Sequence, residues 1–280
     1  FLTSTQIRAA LIPQTVIVIG RTTLSRSINT FLKLAPTQIV IDPRMATVDS
    51  DRHADKRFTQ IPELNTKTAS PEWSEQWEKY ADRAAKSIDA LTGFSEAVIA
   101  REIASNLPEG STLFVSSSRP IRDLEGFGAP RSGVRTYANR GLAGIDGNIS
   151  TALGIASASK QTFAVLGDLS FLHDLTGLIH RGEIDCCFIV INNDGGGIFS
   201  TLPQRGVDGF ESVFGTPHGL DPAAIASAMG ISASTISSID ELKKILKSPV
   251  KGVSLVVANV PSRDENADSL KAIYESMNSI

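Results

Sequence analysis

The chain has 280 residues, of which 41% are hydrophobic and 20% charged, so it can bury the core of one large domain or two smaller ones. A formal charge of -3 gives no general attraction to nucleic acid or an anionic membrane, and any anion must be bound by local groups. No apolar stretch reaches membrane-spanning length, Phe1-Leu2-Thr3 lacks the features of a secretory leader, and the two cysteines, Cys186 and Cys187, sit side by side in an apolar run that suits packing. A soluble, cytoplasmic protein with no nucleic-acid partner and no membrane span is expected.

In chain order, residues 15–19 read as a buried strand ending at Gly20, 25–34 as a helix and 38–41 as a second strand, a small βαβ piece. From 42 to 68 the apolar periodicity fades, marking a boundary. Pro71 suits the first turn of a connecting helix whose Trp73, Trp77, Tyr80, Ala84, Ile88 and Leu91 share one face, which favours packing over base stacking for the tryptophans. After Gly93 the pattern alternates: helix 95–107, strands 112–115 and 134–137, helix 145–158, strand 162–166, helix 171–180 and strand 186–191. Helices 222–229 and 240–246, strand 253–260 and helix 264–277 follow. This order predicts an α/β fold, a mostly parallel sheet with helices on both faces, plus a partial second α/β domain at the N-terminus. The expected division is 1–66 for the partial domain, 67–92 for a linker and connecting helix, and 93–280 for the main domain.

The chemistry gathers at strand ends. Gly167-Asp168-Leu169-Ser170 follows one apolar run and Asn193 closes another, which places a carboxylate and a carboxamide at the carboxyl ends of two parallel strands. A hard cation takes oxygen ligands, so Asp168, Asn193 and the carbonyl of Gly195 suit Mg2+, while the start of the following helix and the Ser170 hydroxyl suit a diphosphate. The competing structural reading makes Asp168 a helix cap and Asn193-Asp194-Gly195 a turn; the paired spacing favours the cation. His173 and Asp174 in the first turn of a helix read as packing and capping groups.

The same residues carry a resemblance. Gly167-Asp168-Leu169-Ser170 followed by Asn192-Asn193 resembles the signature of thiamine-diphosphate enzymes in their diphosphate-binding domain. Three further stretches narrow the family: Pro120-Ile121-Arg122-Asp123; Tyr137-Ala138-Asn139-Arg140-Gly141 with Gly144-Ile145-Asp146-Gly147; and Gly196-Gly197-Ile198-Phe199-Ser200 with Leu202-Pro203. Together they resemble the 2-succinyl-5-enolpyruvyl-6-hydroxy-3-cyclohexene-1-carboxylate synthase (MenD) family of menaquinone biosynthesis, in register from about 94 to 203. The resemblance implies thiamine diphosphate with Mg2+, or Mn2+ in its place, as cofactors. Asp168, Asn193 and Gly195 would hold the metal, and Ser118, Gly167, Asp168, Leu169, Ser170 and Asn193 the diphosphate. It implies that Ile145 presses on the bent thiamine, that Arg122 and Arg140 grip substrate carboxylates, and that Ile198, Phe199 and Leu202 line the second substrate's pocket. Arg26, in the turn after Gly20, would face isochorismate.

By that resemblance the intact enzyme is a carboligase that decarboxylates 2-oxoglutarate and adds the succinyl carbanion to isochorismate, as a homodimer or homotetramer. Ser116-Ser117-Ser118 stands where many relatives have Gly-Asn-Ser, which puts contacts of that amide in doubt. The pyrimidine-binding domain and its activating glutamate have no counterpart, so a fragment inactive by itself is expected. The rival readings are another thiamine-diphosphate enzyme, acetolactate-synthase-like or a 2-oxo-acid decarboxylase, and a noncatalytic nucleotide- or phosphate-binding module. Gly20-Arg21 lacks the glycine spacing of a dinucleotide turn.

Overall fold

The computed structural model describes residues 1–22, 24–44, 53–63, 70–180 and 182–278, and it divides into two compact units, Phe1–Ala90 with Ala272–Ile280, and Leu91–Lys271. The domain boundary expected at 66 and 67 lies outside the described residues.

In the first unit, β1 (Thr15–Ile19), β2 (Thr37–Ile41) and β3 (Lys56–Phe58) form a parallel sheet in that order. The third strand was not expected, because its polar Lys-Arg-Phe carries no apolar alternation. Helix α1 (Thr5–Ala10) and α2 (Arg26–Leu32) accompany the sheet, and α3 (Pro71–Asp89) follows with Pro71 in its first turn and the Ser70 hydroxyl accepting from Trp73 N. The aromatic face of α3 packs as its spacing predicts. Trp77 and Tyr80 lie against Ile7, Leu11 and Phe31, and Trp73 Nε1 donates to the Leu11 carbonyl at 3.2 Å.

The second unit contains α4 (Glu96–Asn106), β4 (Thr112–Val115), α5 (Arg119–Phe127), β5 (Arg135–Tyr137), α6 (Asn148–Ala156), β6 (Thr162–Gly167) and α7 (Asp168–His173). Next come β7 (Cys186–Asn192), α8 (Pro222–Ala228), β8 (Ser232–Ile236), α9 (Ile239–Lys247), β9 (Val253–Asn259) and α10 (Arg263–Asn278), whose last residues group with the first unit. Six parallel strands stand in the order β5-β4-β6-β7-β9-β8. β6 and β7 are apolar runs because both of their faces are covered. Phe163, Val165, Cys187, Ile189 and Ile191 join one core with α4 and α9, whereas Ala164, Leu166, Cys186, Phe188 and Val190 join the other with α6, α7 and α8. Each fully buried Leu, Ile or Phe in these layers contributes roughly 1.5–3 kcal/mol. Burial pushes both thiols up, Cys187 to about 11.

The chain order of these strands decides where a ligand fits. From β4 the chain moves to β5 on one side, then crosses to β6 on the other, so a crevice opens at the carboxyl ends of β4 and β6.

Two expectations need correction, and two elements were not foreseen. The helix expected from 145 begins at Asn148, because Gly147 stands before it in the left-handed region at φ +70°, and Ile145 belongs to the turn. The helix expected over 171–180 is α7 from Asp168 to His173 followed by a 3-10 helix over Leu175–His180. α5 and β8 were not expected: α5 is short, beginning at Arg119 with Pro120 in its first turn, and β8 is a Ser- and Thr-rich edge strand. At α9 the sequence signal is a capping box, with Ser238 Oγ accepting from Glu241 N at 3.3 Å and Glu241 Oε2 accepting from Ser238 N at 3.1 Å. Ser238→Ala is therefore expected to cost about 1 kcal/mol in urea unfolding.

Candidate functional site

Three strand ends supply the site. β4 runs into Ser116-Ser117-Ser118, and Ser118 takes φ +76°, a region L side chains rarely adopt, just before α5 begins. β6 ends at Gly167 and passes directly into α7, so Asp168 stands at its first turn, 2% exposed. β7 ends at Asn192 and opens the loop Asn193 to Gly197.

Asp168 organises that loop. Its Oδ1 accepts from Leu169 N at 2.7 Å, while Oδ2 accepts from Gly195 N at 2.8 Å and Asn193 N at 3.2 Å. His218 Nε2 lies 3.3 Å from the same Oδ2. The Leu220 amide donates to His218 Nδ1 at 3.0 Å, which assigns the proton of a neutral ring to Nε2, facing Asp168. Burial pushes the Asp168 carboxyl above the usual range, and these donors oppose the push. Oδ2 is thus occupied by the loop, and Oδ1 carries one amide with acceptor capacity to spare.

Asn193 is fixed from two sides. Its Nδ2 donates to Glu96 Oε1 at 2.6 Å, and a Cβ on Gly197 would overlap the same nitrogen. Its Oδ1 is buried and has no hydrogen-bond partner. An orphaned buried oxygen costs about 1–3 kcal/mol unless something fills the place, which makes it the observation that tests a metal here. Asp168, this carboxamide oxygen and the Gly195 carbonyl form a hard oxygen set that fits a divalent cation such as Mg2+. Among the described residues no group of three His, Cys, Asp or Glu side chains is arranged to hold a metal.

The glycines of the loop are there for space. A Cβ on Gly195 would overlap the Gly215 carbonyl oxygen, and one on Gly196 would overlap that of Phe214. Gly196 N donates to the Gly215 carbonyl at 2.7 Å, seating the loop on the π-helical turn Glu211–Gly215.

The other expected residues fall as follows. Ser170 is 3% exposed, accepts from Asn148 Nδ2 at 2.9 Å and donates to the Ile145 carbonyl at 3.2 Å. Its hydroxyl therefore ties α7 to the turn before α6. Ile145 is half-buried, and its carbonyl also accepts from Asn148 Nδ2 at 2.6 Å, so the turn that presents its side chain is pinned at the backbone. Arg122 lies on α5, exposed, with Nη1 donating back to the Ser118 carbonyl at 2.7 Å. Arg140, half-buried after β5, has a buried Nη1 without a hydrogen-bond partner. Ile198, Phe199 and Leu202 are half-buried around one 3-10 turn, with the Phe199 ring 5.3 Å from that of Phe214. Gly167 and Leu169 flank Asp168. Arg26 is exposed at the start of α2 in the first unit, whereas all the others belong to the second. Asp174 accepts from Ser150 N at 2.9 Å, a structural role.

Sequence reasoning missed a buried charged set. Arg119 Nε lies 3.3 Å from Glu96 Oε2, and Arg119 Nη2 pairs with Asp123. One guanidinium does not neutralise two carboxylates: burial pushes Asp123 up to about 8, Arg119 opposes and Glu96 adds to the rise. Glu96 is 97 residues from Asn193 and His218 is 50 from Asp168, so no local spacing announces either.

Residues 127–260 match the family model described as thiamine pyrophosphate enzyme, C-terminal TPP binding domain. The chain is 39% identical over 250 residues to the 2-succinyl-5-enolpyruvyl-6-hydroxy-3-cyclohexene-1-carboxylate synthase of Thermobifida fusca (strain YX), covering 85% of this chain and 45% of the relative. It is 35% identical over 293 aligned positions to the synthase of the same name from Lysinibacillus sphaericus (strain C3-41), covering 98% and 51%. With that from Bacillus cytotoxicus it shares 32% identity over 280 positions, covering 94% and 48%. The chain thus spans about half the length of the curated relatives it matches. With the carboxyl-end crevice, the cofactor-domain match and these relatives together, the chain belongs to the MenD family of thiamine-diphosphate-dependent enzymes and carries its C-terminal cofactor-binding domain.

Proposed function

We propose that the protein acts as a Mg2+-dependent carboligase of menaquinone biosynthesis: 2-oxoglutarate loses one CO2, and the remaining four-carbon unit forms one carbon–carbon bond with isochorismate. The observation that carries the metal and cofactor reading is the unpartnered Asn193 Oδ1 in the loop that Asp168 holds at the β6 and β7 ends. The names of the relatives support the substrates, since each is called a synthase of the succinyl-cyclohexene product.

Thiamine diphosphate, when bound, supplies the electron sink that stabilises the carbanion. The chain's own residues supply the rest. Asp168, Asn193 and the Gly195 carbonyl would hold the cation, and Ser118, Gly167, Leu169 and Ser170, near the ends of β4 and β6, would hold the diphosphate. Arg140, with its unpartnered Nη1, and Arg122 would take substrate carboxylates through their forked guanidinium groups. Ile198, Phe199 and Leu202 would exclude water from a carbanion that a proton would quench, and Ile145 would orient the cofactor.

Because the chain spans about half the length of its relatives, the activity is assigned to this chain accompanied by a pyrimidine-binding domain, as a cytoplasmic homodimer or homotetramer, with the chain by itself inactive. Among the described residues no helix is long and apolar enough to cross a membrane. Mass spectrometry of the full-length enzyme incubated with 2-oxoglutarate, isochorismate, thiamine diphosphate and Mg2+ tests the proposal. The adduct of the two substrates is expected only when all four are present; acetolactate formed from pyruvate in its place would overturn it.

A further inference from the structure

We infer that Glu96 is a positioning residue for the metal, fixing which end of the Asn193 carboxamide faces the cation. The inference rests on the reading of Asn193 as a metal ligand. An amide presents oxygen at one end and nitrogen at the other in nearly the same shape, and only the oxygen can ligate a cation. An isolated asparagine at the end of β7 would be free to turn either end inward.

Glu96 removes that freedom. Asn193 Nδ2 donates to Glu96 Oε1 at 2.6 Å, so this carboxyl oxygen takes the NH2 end of the amide. The oxygen is then left at the opposite end, buried and without a protein partner. Gly197, which has no side chain to displace the nitrogen, completes the seat.

The carboxylate that does the sorting is itself held. Glu96 opens α4 and is 7% exposed, where the amides of a helix start favour a negative charge. Its second oxygen faces Arg119 Nε at 3.3 Å, and Arg119 is fixed in turn by Asp123 one helical turn along α5. Glu96, Arg119, Asp123, Gly167 and Asn193 line one cavity otherwise bounded by apolar side chains such as Ile99 and Val115. Few waters could replace Glu96 as a partner for the amide in such a setting. The path runs from α5 through α4 to the end of β7, joining elements far apart in sequence to a single rotamer.

Mn2+ binding to the full-length enzyme in the presence of thiamine diphosphate, followed by electron paramagnetic resonance, tests this without turnover. Glu96→Gln keeps the size of the side chain but offers either a donor or an acceptor, so the sorting is lost. A fall in Mn2+ affinity of about 10–100-fold is expected, the range typical for groups that orient metal ligands. In the double variant Glu96→Gln with Asn193→Asp, position 193 shows oxygen at both ends, and affinity is expected to recover towards that of the unaltered enzyme. Recovery would separate orientation from a general loss of structure, even if Glu96→Gln also lowers Tm. Unaltered Mn2+ affinity in Glu96→Gln, or no recovery in the double variant, overturns the inference. Asn193→Ala distinguishes the underlying reading: if that variant keeps full Mn2+ affinity, Asn193 is not a ligand and both fail; if it loses affinity while Glu96→Gln does not, only the role of Glu96 fails.

Discussion

Asp168→Asn is expected to lower metal-dependent thiamine diphosphate binding by more than about 100-fold, although the replacement has the same size and shape. A group that only orients a ligand is worth about 10–100-fold, and a direct ligand exceeds that. The reason lies in the two ends of the carboxylate. Oδ2 meets three donors, Gly195 N, Asn193 N and His218 Nε2, so an asparagine must keep its oxygen there. Its NH2 then replaces Oδ1, facing both the Leu169 amide and the place of the cation. Two donors are brought together where an acceptor stood, and the Leu169 N–H loses its partner at a cost of about 1–3 kcal/mol. Asp168→Ala would leave all these donors unpaired and loosen the loop as well. Isothermal titration of the full-length enzyme, with near-ultraviolet circular dichroism to verify packing, checks the result; an Asp168→Asn variant with unaltered affinity would remove Asp168 from the metal site.

Gly195→Ala is expected to be the most damaging single-methyl change in the cofactor loop. Gly195 has φ +130°, outside the regions an L side chain adopts readily, which costs about 1–3 kcal/mol. The added carbon would also overlap the Gly215 carbonyl oxygen and lie 2.9 Å from that of Thr216. Both are backbone atoms, so relief requires moving the π-helical turn Glu211–Gly215, and overpacking of this kind typically costs another 1–3 kcal/mol or so. A total near 4 kcal/mol corresponds to a fall in Tm of roughly 10 °C for a unit of this size. Scanning calorimetry measures it. A Tm within about 2 °C of the original would mean that the turn moves easily and does not fix the loop.

Much of the architecture was legible in the chain because it rests on local pattern. The runs 162–166 and 186–191 read as buried parallel strands since both faces of β6 and β7 are covered, and the Trp73, Trp77 and Tyr80 face of α3 follows from helical spacing. Asp168 and Asn193 were legible together because each directly follows a buried strand in one sheet, and neighbouring parallel strands bring their ends to one edge. β8 was not, because an edge strand of serine and threonine has one row of partners and little apolar surface to reveal it. Ile145 was placed on a helix because its apolar neighbours continue the pattern, whereas Gly147 interrupts the backbone without disturbing that pattern. Glu96, Arg119 and His218 escaped notice for a different reason. Each meets its partner only after distant segments fold together, and a charged residue at a helix start looks the same in sequence whether it caps, solvates or sorts an amide.

The two adjacent sulfurs of β7 have a practical consequence. They point into opposite core layers of a central strand, and burial holds both in the unreactive protonated form. Both cysteines of this chain are buried, so the rate at which iodoacetamide modifies them becomes a clock for the opening of the sheet's middle. A label aimed at a cysteine introduced on the surface of this chain would, for the same reason, leave Cys186 and Cys187 unmodified.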